Sequence, residues 1–263
     1  MVTGCGMDVS LAPDASNAAG DGSGATIAGT ITVDQTWSGA NTVTAATTIA
    51  SGVTVTVAAG ARITVAPGAS ITVAGKVDIA GTRAATVVMK PLTNGGSWGG
   101  FVVAGELVMH YGDQTGGGIV VDGGMVTVID TVMSHYNDGR DFLIVHSGHL
   151  DVEYSSIGSA PGVTDVDHCD LHANQGGTST IKVIHTNLSS ATYGFDFFGG
   201  TADLTYDNWF SNATDLYTEP GAPVIGDVSF GWFKNGPPTA APGSMITANA
   251  LSPTKLTAAG PRP

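Results

Sequence analysis

The sequence predicts an all-β protein wound as a right-handed parallel β-helix, and three observations carry that reading. The first is a repeat. Apolar pairs at i and i+2 recur at Val53/Val55, Val77/Ile79, Phe101/Val103, Val126/Val128, Leu150/Val152, Ile181/Val183, Leu204/Tyr206 and Val228/Phe230. Their first members lie 24, 24, 25, 24, 31, 23 and 24 residues apart, and the extra residues of the long step fall near 158–167. Ile31/Val33 offers an earlier rung. The second observation is what lies between the pairs. Arg62–Val65 and Ser70–Val73, parted by Ala66-Pro67-Gly68, alternate apolar and polar residues, and residues 87–89 and 119–121 occupy the equivalent places in later periods. The third is that no segment sustains a 3.6-residue period with caps. Three short strands per period of roughly 24 residues, stacked about eight or nine times, make a column that buries Val and Ile only by stacking. At ~4.8 Å per rung it would be roughly 40 Å long.

Composition agrees and excludes much else. Of the 263 residues, 42% are hydrophobic and 38 are Gly, enough apolar material for a core and enough turn residues to bend it often. No run approaches the roughly 20 apolar residues of a membrane-spanning helix. Nine Lys and Arg against 22 Asp and Glu give a formal net charge of -13, which argues against a nucleic-acid surface.

Three segments follow. Residues 1–29, rich in Ala, Gly, Ser and Asp, read as a flexible spacer. Residues 30–236 read as the β-helix, with Trp37 and its neighbours folded over the N-terminal end. Gly236-Pro237-Pro238 stops the repeat, and 237–263 reads as a Pro/Ala-rich surface strap or a disordered tail. Solenoid ends carry unpaired strands, so the chain is expected as a monomer or in end-to-end association.

Of the two cysteines, Cys169 in His168-Cys169-Asp170-Leu171-His172 reads as a buried free thiol. Cys5 ends Val2-Thr3-Gly4-Cys5, which resembles the lipobox of bacterial lipoproteins; that resemblance implies lipidation at Cys5, and the other reading is an ordinary thiol in a loose tail. The runs Gly60-Ala61-Arg62-Ile63-Thr64-Val65-Ala66-Pro67-Gly68, Gly75-Lys76-Val77-Asp78-Ile79-Ala80-Gly81-Thr82 and Trp98-Gly99-Gly100 resemble secreted right-handed parallel β-helix proteins of the kind abundant in myxobacteria. The resemblance spans roughly residues 30–236. It implies export to an extracellular or outer-envelope surface, with a membrane touched only through a lipid anchor. It carries little about activity, because lyases, hydrolases, epimerases and adhesins share this fold.

In a filled solenoid, chemistry must use outward strand residues or loops. The densest candidate is the segment 164–172, beside the long step. With Cys169 and Leu171 inward, His168, Asp170 and His172 would point out. Asp196, between inward Phe195 and Phe197, would stack near Asp170, two carboxylates roughly 5 Å apart, which suits a general acid with a nucleophile in glycoside hydrolysis. His168 or His172 would position substrate or act as base. The preceding rung offers Arg140-Asp141 and His146, the latter either beside His172 or in a turn with His149. Asp167-His168-Cys169-Asp170 loosely resembles the Asp-Pro-His-Asp signature of alginate epimerases, without the Pro and with a Cys inserted.

Metal readings stay open. Calcium would draw on Asp165, Asp167 and Asp170, and zinc would need ligands from neighbouring rungs, since His168 and His172 lie about 13 Å apart on a strand. The expected activity is binding or processing of a polysaccharide or envelope glycan on one outer face, a neutral one because the acidic surface repels anionic polymers. The alternatives are a non-catalytic structural or adhesive envelope protein and a plain solvated face. His110 and His135 stand alone, each beside a Tyr, and His185 reads as a turn residue.

Overall fold

The computed structural model describes residues 24–136, 140–160, 163, 169–174 and 178–263. Among them are 25 strands and no helix, all joined in one parallel sheet that coils on itself. The coil is a parallel β-helix with three faces. The first face stacks Gln35–Trp37, Thr54–Ala58, Lys76–Ala80, Glu106–His110 and later segments up to Met245–Thr247. The second stacks Arg62–Val65, Val87–Pro91, Gly112–Thr115 and Val132–His135 and continues to Trp232–Phe233. The third stacks Ser70–Val73, Gly100–Val103, Cys169–Ala173, Tyr193–Phe197 and Thr214–Thr218, with residues 119–121 and 143–145 between the second and third of these.

Three details of the expected repeat are corrected. Rungs are not evenly spaced: along the first face, register partners step from Val55 to Val77, Leu107, Val126, Leu150, Ile181, Ala202 and Gly226, intervals of 19 to 31 residues. Phe101 and Val103 pair with Ile71 and Val73 on the third face, so counting them with Val77/Ile79 crosses faces and hides a second long turn before Leu107. Tyr206 and Phe230 are exposed turn residues rather than column residues, although Leu204 and Val228 beside them are buried. The reason is common to all three: alternation of period 2 is the same on every face and cannot tell one from another.

The column also extends beyond the expected ends. Ala25–Ile31 is already a strand paired with Ala40–Ile49, and Trp37 is a buried first-face residue aligned with Val57, not a lid. Met245–Thr247 adds a rung past Gly236. Inside, aliphatic residues such as Val43, Ile49, Val55 and Ile63 give way toward the C-terminus to stacked rings, Phe195 on Phe197 and Trp209 on Phe233, with centroids 4.7 and 5.4 Å apart.

One corner, where the first face turns into the second, repeats a device. Tyr111, Asp130, Tyr154, His185, Tyr206 and Phe230 all adopt positive φ, from 46° to 62°. That left-handed conformation is unfavourable for residues with a Cβ. The rings offset part of the cost by stacking outside the corner, Tyr154 on His185, His185 on Tyr206 and Tyr206 on Phe230, at 4.8 to 5.0 Å.

In the four central turns the following residue, Thr131, Ser155, Thr186 or Asp207, is buried and links the rungs. Thr131 N–H donates to Ser155 Oγ, Ser155 N–H to Thr186 Oγ1, and Thr186 N–H to Asp207 Oδ1 at 2.7 Å. Each hydroxyl donates in turn to the carbonyl two residues before it. Asp207 ends the ladder with a carboxyl that has no exposure, and burial pushes its pKa well above the usual carboxylate range. A carboxyl whose folded pKa is raised favours folding most below its unfolded pKa and loses that contribution as pH rises through the folded value. Asp207→Asn, neutral throughout, should raise stability at pH 7 by about 1–2 kcal/mol. It should also flatten the fall in stability that wild type shows on going from acid to neutral pH. Urea denaturation across that range checks it; parallel pH profiles would sink the idea.

The C-terminal segment lies back along this corner. Asn208 exchanges hydrogen bonds with Leu256 in both directions, Gly260 N–H donates to His185 O at 2.7 Å, and Lys255 sits over Phe210. Arg262 closes on Asp130, Nε to Oδ1 at 2.8 Å and Nη2 to Oδ2 at 2.6 Å, with its guanidinium over Tyr154. Burial raises the Asp130 pKa, but the Arg262 bonds outweigh it and hold the carboxyl below its usual value. Arg262→Ala should cost about 1–2 kcal/mol at pH 7. A depressed pKa stabilises above the unfolded value and is lost as pH falls through the folded one. The difference from wild type should therefore narrow at acid pH, as paired thermal melts would show.

Candidate functional site

The third face carries the candidate site. Leu171 and Ala173 align with Phe195 and Phe197, and all four are buried in the column. The same register sets His172 against Asp196 on the outer surface, with Ile144 on the rung before and Tyr217 on the rung after. Asp141 enters from the turn leading into Leu143.

These side chains converge. His172 Nδ1 lies 3.2 Å from Asp141 Oδ2 and 3.5 Å from Asp196 Oδ2, an ion pair shared between two carboxylates rather than one aligned hydrogen bond. Burial lowers the affinity of the imidazole for a proton, but Asp196, Asp141 and a hydrogen bond with Asn174 outweigh it, and its pKa is raised. The Cys169 thiol reaches the same place, 3.8 Å from Asp196 Oδ2, and its N–H donates to Asp141 Oδ1 at 3.3 Å. Burial, then Asp141, Asp196 and Asp170, push the thiol pKa far up, so without a cation it stays protonated. Phe198 packs against the imidazole at 5.3 Å, and Tyr217 contacts both Phe198 and Tyr193.

The expected Asp170–Asp196 pair is not formed. Asp170 has no exposure and binds the equally buried His135, Oδ1 to Nε2 at 3.0 Å, on the second face. The position facing Asp196 is His172. Strict alternation holds from Leu171 onward but not at the first residues of the strand, so Cys169 meets the outer group while Asp170 turns to His135. Asp170 therefore presents no carboxylate to an outer-face substrate, nor an oxygen to a calcium ion there. His146 is exposed at an irregularity between Val145 and Ser147, where neither expected neighbour is its register partner. Asp165, Asp167, His168 and Cys5 lie outside the described residues.

Beside Asp141 a half-enclosed cavity of about 310 Å³ opens at the corner between the second and third faces, bordered by Gly99, Gly116, Gly118, Tyr136, Arg140 and Asp141. The glycines let backbones close up: a Cβ on Gly118 would stand 2.4 Å from Phe142 O. Arg140 donates to Trp98 O at 3.3 Å from the cavity rim.

Sequence reasoning undervalues His135 and Asp141. His135 and Asp170 are 35 residues apart, and no local pattern announces their bond. Asp141 comes into view only as the neighbour of Arg140.

No family model, curated protein or solved structure matches the chain. What the structure shows is the fold, an all-β parallel solenoid.

Proposed function

We propose that this protein is an exported β-helix displayed on a bacterial envelope, which binds a neutral glycan on the outer third face. The observation that carries the reading is the surround of His172 and Asp196. The partly exposed rings of Tyr193, Phe198 and Tyr217 stand on one side, and the cavity with Tyr136, Arg140 and Asp141 on the other. Aromatic faces and a few fixed polar groups are what sugar rings bind to, apolar on their faces and hydroxylated at their edges. The cavity stands at the small end of ligand sites, about 300–1,000 Å³, which fits a single sugar unit of a longer chain. A net charge of -13 favours neutral over uronic polymers.

Processing, as against binding, would fall to Asp141, His172 and Asp196, since Asp170 is enclosed. The burial of Asp170 against His135 gives weight to the second reading, an adhesive protein that binds without turnover.

The test is a panel of neutral and uronic polysaccharides, followed by calorimetry for binding and by reducing-end release and unsaturated-uronate absorbance for turnover. Tyr217→Ala and Arg140→Ala should each weaken binding about 10-fold with folding intact, equivalent to about 1.4 kcal/mol. Wild type binding no glycan in the panel, or both variants binding as wild type does, would overturn the proposal.

A further inference from the structure

We propose that Asp141, Cys169, His172 and Asp196 form a binding site for one divalent transition-metal ion of the zinc class, ligated by Sγ, Nδ1 and one oxygen from each carboxylate. The site draws its ligands from three successive rungs of the third face. It stands on the metal chemistry of these four residues and does not depend on the glycan reading.

The spacing is the first argument. Zinc binds thiolate at about 2.3 Å and imidazole or carboxylate at about 2.0–2.2 Å, so the ligand atoms of a tetrahedral site lie roughly 3.3–3.8 Å from one another. Here His172 Nδ1 is 3.2 Å from Asp141 Oδ2 and 3.5 Å from Asp196 Oδ2, and Cys169 Sγ is 3.8 Å from Asp196 Oδ2. The donor atoms of Asp141, Cys169 and His172 all fall within 4.8 Å of one another. Three of these separations, from Nδ1 to each carboxylate and from Sγ to Asp196 Oδ2, thus fall close to the edge length of a tetrahedral site.

Charge is the second. Two carboxylates converge on one imidazole and one thiol at a largely buried place. Asp196 is 9% exposed, and its Oδ1 is buried with no hydrogen-bond partner among the described residues. An unpartnered carboxylate oxygen in such a setting is costly unless a cation is near. Binding an ion displaces the thiol proton and the imidazolium Nδ1 proton to solvent and forms the metal–sulfur and metal–nitrogen bonds, giving three anionic ligands and one neutral one around a doubly charged centre.

The third is support around the ligands. The Cys169 N–H holds Asp141 through its other oxygen at 3.3 Å, and Phe198 packs on the imidazole at 5.3 Å. Such contacts fix ligand orientation before the ion arrives. The donor set also selects the ion: thiolate with imidazole suits zinc or cobalt, whereas calcium wants oxygens alone.

The experiment uses the purified full chain, stripped with EDTA and titrated with zinc chloride, with calcium chloride in parallel and cobalt(II) chloride as optical probe. Wild type should take up one zinc per chain, melt at higher temperature with zinc but not with calcium, and show a thiolate-to-cobalt charge-transfer band. Cys169→Ser should lose that band. His172→Ala should weaken zinc binding by about 100-fold or more, and so should Asp196→Asn, which keeps shape and volume if the alanine variant fails to fold. No saturable uptake at about 100 µM zinc would overturn the proposal. So would an unchanged cobalt band in Cys169→Ser, or zinc affinity in Asp196→Asn equal to wild type.

Discussion

Replacing His135 with Ala should destabilise the protein by about 3–5 kcal/mol, the cost of breaking a buried ionisable pair from one side. For a chain of this size that corresponds to a melting temperature lower by roughly 10 °C. The imidazole is 2% exposed, its Nε2 lies 3.0 Å from an Asp170 oxygen that is equally out of water, and the ring packs against Phe142 at 5.4 Å. Alanine removes both the partner and the packing, and leaves a carboxyl enclosed with fewer groups to satisfy it. His135→Gln, which keeps an amide within reach, should recover part of the loss. Thermal and urea melts followed by circular dichroism measure both. A loss below about 1 kcal/mol for the alanine variant would show that the pair is not a structural anchor. The pair also bears on the outer group, because it holds Asp170 inward beside Cys169.

The second large effect is expected at Trp209. Its side chain is fully buried and stacks on Phe233, centroids 5.4 Å apart and planes 8° apart. Trp209→Ala should cost about 3–5 kcal/mol, since a closely packed column cannot collapse around so large a void. Trp209→Phe is the informative contrast. The indole Nε1 is buried with no hydrogen-bond partner among the described residues, so phenylalanine removes an unsatisfied donor while keeping a ring against Phe233. The lost volume and the removed donor oppose one another, and the net change should stay within about 1.5 kcal/mol. Equal losses for the two variants would show that stacking contributes little.

The solenoid is legible in the sequence because it is a repeated local property. Alternation, glycine-marked turns and β-branched residues such as Val55, Ile63 and Val73 appear wherever the wall must be built, and their recurrence needs no knowledge of which rung touches which. Which face a strand joins is another matter. Phe101 and Leu107 carry the same alternating pattern, yet one lies on the third face and the other on the first. Only the lengths of the intervening turns separate such strands, and length is absorbed in loops such as 92–99. The site is legible in its composition but not in its geometry. His172 and Asp196 can each be read as outer-surface residues, because each sits between buried residues on a regular stretch of strand, but the sequence pairs Asp196 with Asp170 and not with His172. Cys169 is the buried free thiol that the sequence indicates, whereas Asp170 beside it, near the start of the strand, turns to His135 instead of outward. The bond from Asp170 to His135 crosses between faces, and no one-dimensional pattern encodes a contact of that kind.

The strap adds a mechanical consequence. A stacked column pulled from one end would peel, each rung yielding after the one above it, so that force is resisted by a single rung at a time. Arg262 grips Asp130 across 132 residues of chain, having first been stitched to Asn208 and His185 on the way. Tension applied near the C-terminus is therefore carried past the outermost rungs and delivered to the middle of the column. The last rungs lie inside a buckled loop and cannot unwind until the buckle at Asp130 opens, which converts a fraying end into a latch.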